Sequence, residues 1–242
     1  TQVFGLVTEF CAAGGDVTER FWVPLGTKDF GSIIAALPDD VDAIYLGLGG
    51  GDAVNFLSQY QQAGGDAALI GGSLMVDGTV LNSKGDAKNA LIGTPAAGPQ
   101  ADSWNNPRWK EYVASYKNTF APEDRFPSPS LLATAYYTAT SAALACVDEV
   151  GGNLGEGQAA FRSCLSSLEL DTPTGTIRLD ENRQAIAANF VSEVVENEDG
   201  TLSTKMVSMV EGVNQQLGID PEAFAKIGLP SRDTPACQTS FE

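Results

Sequence analysis

Asp42-Ala43-Ile44-Tyr45-Leu46-Gly47-Leu48-Gly49-Gly50-Gly51-Asp52 is the stretch on which the fold turns. Residues 43–48 form an unbroken apolar run, the mark of a strand covered on both faces. Three glycines follow, and Asp52 stands where a side-chain oxygen can cap the next helix. Ala53, Phe56, Leu57 and Tyr60 then fall on the inner side of that helix. Strand, glycine turn and helix make half of a crossover unit, and the pattern repeats in both directions. Downstream, Gly64-Gly65 stops the helix, and 67–70 reads as a second buried strand ending in Gly71-Gly72-Ser73-Leu74-Met75. A further strand is expected at 90–94. Upstream, Val3, Leu6, Val7, Phe10 and Cys11 share one helix face that ends at Gly14-Gly15. Residues 17–23 alternate like a strand and stop at Pro24. Asp29 then opens a short helix carrying Phe30, Ile33, Ile34 and Leu37, which Pro38 ends. Strands alternating with helices predict an α/β fold with a parallel sheet flanked by helices.

Beyond Pro95 the character changes. A polar, Pro-rich stretch at 95–107 leads into a helix over 108–120, and a second one (Pro122, Pro127, Pro129) precedes a long apolar helix over 131–150. Gly151-Gly152 ends it. A helix over 158–168, a short strand at 175–179 and two strands at 190–196 and 202–210 follow. Glu198-Asp199-Gly200 between the last two reads as a hairpin turn. The tail from residue 213 is short helix and coil. The stretches near 95–107 and 180–189 look like passages between two lobes. The segment between them holds three helices and barely a strand, and the first helix lacks the strand that a crossover unit needs before it. Both gaps imply that sheet strands are missing from the N-terminal side. The start at Thr1 without Met agrees with a processed product or a piece of something longer.

The chain has 242 residues, 43% of them apolar and 19% charged, which suits a globular chain with a sizeable core. Fourteen basic against 31 acidic residues leave a net charge of −17, which argues against nucleic acid or an anionic membrane as a partner. There is no histidine, so Ser-His-Asp and Cys-His machinery, His-ligated zinc and imidazole pH switches are all excluded. No apolar run is long enough to span a bilayer. The four cysteines lack the close spacing of metal sites. Cys146 and Cys164 each lie in an apolar, helix-like stretch, and a bridge between them is preferred over buried reduced thiols, given a composition that suits a secreted protein. Cys11 and Cys237 could pair with each other or with a cysteine elsewhere.

In an open parallel sheet, ligands bind beyond the carboxyl ends of strands, close to a helix N-terminus. Two adjacent strand ends fit this: Gly47-Leu48-Gly49-Gly50-Gly51-Asp52 and Gly71-Gly72-Ser73-Leu74-Met75. Glycine admits a ligand to the backbone, and Ser73 adds a hydroxyl that can donate or accept. The plainer alternative is that these glycines only shape tight turns. A dinucleotide fingerprint fails, because Asp52 stands where the third glycine is needed, and no Gly-Lys-Ser/Thr of a P-loop follows any glycine run. Asp39, Asp40 and Asp42 read as a solvated turn. Asp180 and Asn182 begin like a calcium loop, but its glycine and closing Glu are absent. Trp104, Trp109, Tyr112 and Tyr116 read as packing residues. Tyr136 and Tyr137 open the long helix, and one of their hydroxyls could face a cleft.

The order of these elements resembles the periplasmic solute-binding proteins of ABC transporters, most closely the branched-chain amino-acid (Leu/Ile/Val) binding type. The resemblance rests on Glu9-Phe10-Cys11-Ala12-Ala13-Gly14-Gly15, Pro24-Leu25-Gly26-Thr27-Lys28-Asp29-Phe30 and Asp42-Ala43-Ile44-Tyr45-Leu46-Gly47. Ala135-Tyr136-Tyr137-Thr138-Ala139 and Pro173-Thr174-Gly175-Thr176-Ile177 extend it over nearly the whole chain. It implies a two-lobed type I periplasmic-binding-protein fold, truncated at the N-terminus. Residues 1–95 would be most of the second lobe, 96–188 the remaining part of the first, and 189–242 the return to the second plus the tail. It further implies a non-enzymatic periplasmic receptor without cofactor or metal, its signal peptide removed, that binds a small molecule between lobes and delivers it to permease subunits. The implied ligand-binding residues are Leu48, Gly49, Gly50, Asp52, Ser73, Leu74 and Tyr136. Amino-acid binders of this type carry an acid, holding the ligand ammonium, at the position aligned with Ser73. A neutral serine cannot offset a buried cation, so a carboxylate lacking an amine, aromatic or aliphatic, becomes the attractive ligand. The rivals are a sensory module of the same fold and a nucleotide-dependent α/β enzyme. Self-association through an uncovered face of the 131–150 helix is also expected.

Overall fold

The computed structural model describes residues 2–240. In chain order the elements are α1 (Gln2–Ala12), α2 (Gly31–Ile34), β1 (Ala43–Leu46), α3 (Gly50–Gln62), β2 (Ala68–Gly71), a 3-10 turn (Ser73–Val76), α4 (Gly78–Leu81), α5 (Gly85–Leu91) and β3 (Pro95–Gly98). They continue with α6 (Pro107–Thr119), α7 (Leu131–Glu149), α8 (Ala159–Ser167), β4 (Leu170–Thr172), β5 (Gly175–Leu179), β6 (Ala185–Glu196), β7 (Leu202–Val213) and α9 (Pro221–Ile227). The sheet runs β1-β2-β3-β6-β5-β4, with β7 on β6. β1, β2 and β3 are mutually parallel, whereas β6 is antiparallel to β3 and to β7. The parallel set matches the α/β expectation, and the antiparallel additions make the sheet mixed.

Local chemistry sets the helix ends. Asn106 accepts from the backbone N–H groups of Arg108 and Trp109, with Pro107 at the first helical position of α6. Ser130 Oγ accepts from the Ala133 N–H at 3.1 Å and starts α7. Ala53, Phe56, Leu57 and Tyr60 are buried on α3 at helical spacing. With Phe30, Leu46, Met75, Val80, Ala87, Leu91, Ala96 and Val194 they form the main core between sheet and helices. Against a different set of partners, α1 meets the C-terminal tail. Phe4 packs edge-on against Phe224 at 5.3 Å, and Cys11 is bonded to Cys237.

Several boundaries differ from the sequence reading. Residues 17–23 form no strand, since alternation alone supplies no ladder partner. The strand expected at 90–94 is instead the end of α5 and a turn. Ala87 and Leu91 lie four apart on a helix and bury together, and Gly93 takes a left-handed φ of +82°. The strand begins at Pro95, where a missing N–H is tolerated at the first residue. So 95–98 belongs to the sheet rather than to a passage, as does 185–189 within β6. Pro-Ala-Ala-Gly carries too little apolar bulk to announce a central strand. The hairpin at 197–201 forms as expected, with Asn197 N–H donating to Thr201 O at 2.8 Å. Asp180 Oδ1 accepts from the backbone of Asn182 and Gln184, so its carboxylate closes a turn.

Both disulfides are present: Cys146–Cys164 ties α7 to α8, and Cys11–Cys237 ties α1 to the tail. The apolar face of α7 is largely uncovered, with Leu132, Tyr136, Tyr137 and Leu144 all about half exposed or more. No helix among the described residues is long and apolar enough to cross a membrane.

Candidate ligand-binding site at the strand tips

Parallel pairing of β1 with β2, in register from Ala43↔Ala68 to Leu46↔Gly71, makes their carboxyl ends leave the sheet side by side. The Gly72 N–H donates to Leu46 O at 3.0 Å and extends that pairing by one step. The two glycine-rich tips therefore converge. A Cβ on Gly49 would stand 2.7 Å from Leu74 Cβ, so the backbone of one tip lies against the side chain of the other. Gly50 opens α3 with φ of +55°, a conformation costly for other residues. Like any helix start, this one presents backbone N–H groups that lack intrahelical acceptors, together with the positive end of the helix dipole.

Gly72 is the most crowded position. A Cβ there would meet Gln2 Oε1 at 2.0 Å and Tyr45 Oη at 2.6 Å. The bare Cα thus admits two polar side chains that the sequence reading did not select. Gln2, in the first turn of α1, donates from Nε2 to Ser73 Oγ at 3.1 Å. Tyr45 is partly buried, and desolvation pushes its phenol above the ordinary value, which keeps it neutral at physiological pH. The adjacent Gly71-Gly72 pair was the available signal, because glycine at a strand end marks close approach by another group.

The expected site residues divide. Leu48, Gly49 and Gly50 lie on the first tip, and Ser73 and Leu74 on the second, so the structure brings these five together. Asp52 does not cap α3: the N-cap is Gly49, and Asp52 is the third residue of the helix. Its Oδ2 accepts from the Gly26 N–H at 2.9 Å, so the carboxylate braces the loop around 24–27. Tyr136 is 75% exposed on α7, a helix whose chief neighbour is α8, and it is not among the side chains packed around the tips. The tips form an open face. A cavity of about 20 Å³ near Gln100, Phe126 and Pro129 is bordered by Val76 at the end of the second tip's 3-10 turn, and an open depression of about 310 Å³ lies beside α9; neither is lined by residues 47–52 or 71–75. The donors on this face are backbone N–H groups and a hydroxyl. Such a set suits a carboxylate or another small anionic or carbonyl group rather than a cation.

Gly72→Ala tests the crowding directly. The φ and ψ of −76° and 178° suit alanine, so any loss comes from displacing Gln2 and Tyr45. We expect destabilisation of about 1–3 kcal/mol by chemical denaturation. A change within about 0.5 kcal/mol, the range of ordinary surface substitutions, would show that the two side chains move aside freely.

Glycine-rich strand tips over a helix N-terminus, on parallel strands β1 to β3 flanked by helices with antiparallel strands added beside them, match a type I periplasmic-binding-protein fold. Residues 3–201 match the family described as periplasmic binding protein, and the chain belongs to that family. An ABC transporter substrate-binding protein from Sphaerobacter thermophilus shares the fold at 24% identity and a TM-score of 0.73, over 83% of this chain and 54% of that one. A solute-binding protein of an ABC transporter from Rhodopseudomonas palustris BisB5, in complex with 3,4-dihydroxybenzoic acid, is 25% identical with a TM-score of 0.73, over 85% and 55%. A leucine-binding protein from Thermotoga maritima is 21% identical with a TM-score of 0.67, over 85% and 55%. The chain therefore spans about half the length of these solved chains. No curated protein matches it.

Proposed function

We propose that this chain is part of an extracytoplasmic, non-enzymatic receptor, periplasmic in location, that captures a small organic acid between two lobes and hands it to an ABC permease. Residues 1–95 and 189–242, together with the parts of β3 (96–98) and β6 (185–188) that continue strands of their sheet, serve as the second lobe, and the segment between them as part of the first. The ligand favours the closed arrangement by contacting both lobes at once. Leu48, Gly49 and Gly50 give it backbone and apolar contact, Ser73 and Leu74 border it, and Tyr136 offers a phenol from the first lobe. Asp52 contributes by holding the 24–27 loop.

One observation carries the reading: the second strand tip ends in a neutral hydroxyl, Ser73, beside free helix N–H groups. At Ser73 a buried ammonium would meet a hydroxyl in place of an acid, and the Asp52 carboxylate on the first tip already accepts from the Gly26 N–H, whereas a carboxylate would find donors. The likeness to a solute-binding protein in complex with 3,4-dihydroxybenzoic acid supports an aromatic acid as ligand. Isothermal titration calorimetry on the full-length protein tests it, with benzoate, 4-hydroxybenzoate and leucine as probes. We expect an aromatic acid to bind at least about tenfold tighter than leucine, a difference of ~1.4 kcal/mol. Leucine binding far tighter than both acids overturns the reading.

The uncovered face of α7 belongs to the same proposal, since the 242-residue chain leaves Leu132 and Leu144 at 54% and 63% exposure. Sedimentation velocity on this chain should show association that grows with concentration and weakens in the variant Leu132→Glu/Leu144→Glu. A monomer at every concentration contradicts it.

A further inference from the structure

We propose that Gln2 is a specificity-determining positioning residue, which makes Ser73 a hydrogen-bond donor toward the ligand and so selects carboxylates over amines. This rests on the receptor reading above and deepens it. Ser73 Oγ accepts from Gln2 Nε2 at 3.1 Å, and its own proton has no acceptor among the described residues. A serine hydroxyl has one proton and two lone pairs. Once Gln2 occupies one lone pair, the unclaimed proton is what Ser73 has to offer a neighbour that can accept. A carboxylate or carbonyl takes that proton, whereas an ammonium, all donors, cannot.

The carboxamide sits in a tight space beside the second strand tip. Its oxygen is buried, bonded to no group among the described residues, and lies against the bare Cα of Gly72, with the Tyr45 hydroxyl on the same glycine. The methyl group of an alanine at position 72 would occupy the volume of the carboxamide oxygen, so the bare glycine leaves room for Gln2 in the position from which it donates to Ser73. Gln2 begins α1, whose far end is bonded to the C-terminal tail through Cys11–Cys237.

A double-mutant cycle separates action through Ser73 from a merely structural role. Gln2→Met, Ser73→Ala and the double variant are titrated with phenylacetate and with phenylglycine, which adds only the amine, while circular dichroism and thermal unfolding check the fold. Gln2→Met and Ser73→Ala should each weaken phenylacetate binding by about fivefold. The double variant should weaken it no further than the stronger single, and each should shrink the phenylacetate-to-phenylglycine preference. Gln2→Glu is the second probe: its carboxylate would accept the Ser73 proton, and the preference should fall by about tenfold, by an effect that vanishes in the Ser73→Ala background. Multiplicative losses in the double variant, or a Gln2→Glu effect that survives Ser73→Ala, overturn the role of Gln2 while leaving the receptor reading intact. Wild-type protein that binds no aromatic carboxylate overturns both.

Discussion

Replacing Cys11 and Cys237 together by serine should lower the unfolding free energy by about 5 kcal/mol on the loop-closure account. The bridge joins residues 226 positions apart, so it restrains almost the whole unfolded chain, whereas Cys146–Cys164 spans 18 positions and should contribute about 3 kcal/mol. The native side adds to the effect. Along its length α1 meets the C-terminal segment three times: Phe4 on Phe224, Gly5 beside Leu217, and Cys11 on Cys237. Arg20 donates to Pro235 O at 2.7 Å and pins the same tail from the following loop. Cutting the bridge loosens the tail and the helix that brings Gln2 to Ser73, so ligand affinity should fall along with stability. Urea denaturation of the double serine variant, beside wild type with and without reductant, measures this. A loss below about 1 kcal/mol would mean that the apolar contacts of α1 suffice without the bond.

The second large effect is expected from Phe56→Ala. Phe56 is 3% exposed in the main core, edge-on to Phe30 at 5.6 Å and stacked on Tyr60 at 5.5 Å. Truncation removes the buried ring, opens a cavity and breaks two aromatic contacts at once, which together cost about 3–5 kcal/mol. The site sits at the start of the same helix, so a loosened α3 should also weaken ligand binding. Leu25→Ala is the matched control: at 98% exposure it should change stability by less than about 0.5 kcal/mol. Equal losses in the two variants would refute the assignment of the core.

Much of this is legible in the sequence. The apolar run at 43–46 and the spacing of Ala53, Phe56, Leu57 and Tyr60 announced a strand and a helix, because burial on two faces and burial on one stripe leave different periods. Gly49, Gly50, Ser73 and Leu74 could be marked as one candidate face because strand ends in an open parallel sheet lie together. The misreadings share a cause. Thr94 and its neighbours resemble a strand only until Ala87 and Leu91 are seen to bury as a helical pair, and Pro95–Gly98 is central without being greasy. Asp52 looked like a cap, a local role, yet its carboxylate reaches Gly26 across 26 positions.

By itself the sequence determined the alternation of elements, the absence of imidazole chemistry, the acidic charge and the place of the glycine-rich tips, because those follow from composition and near-neighbour spacing. Only the tertiary structure decided that Cys11 finds Cys237, that β6 inserts antiparallel beside β3, and that Gln2 reaches Ser73 over Gly72. Each of these joins residues about 70 or more positions apart, or strands distant in the chain, and no local period records such a partner.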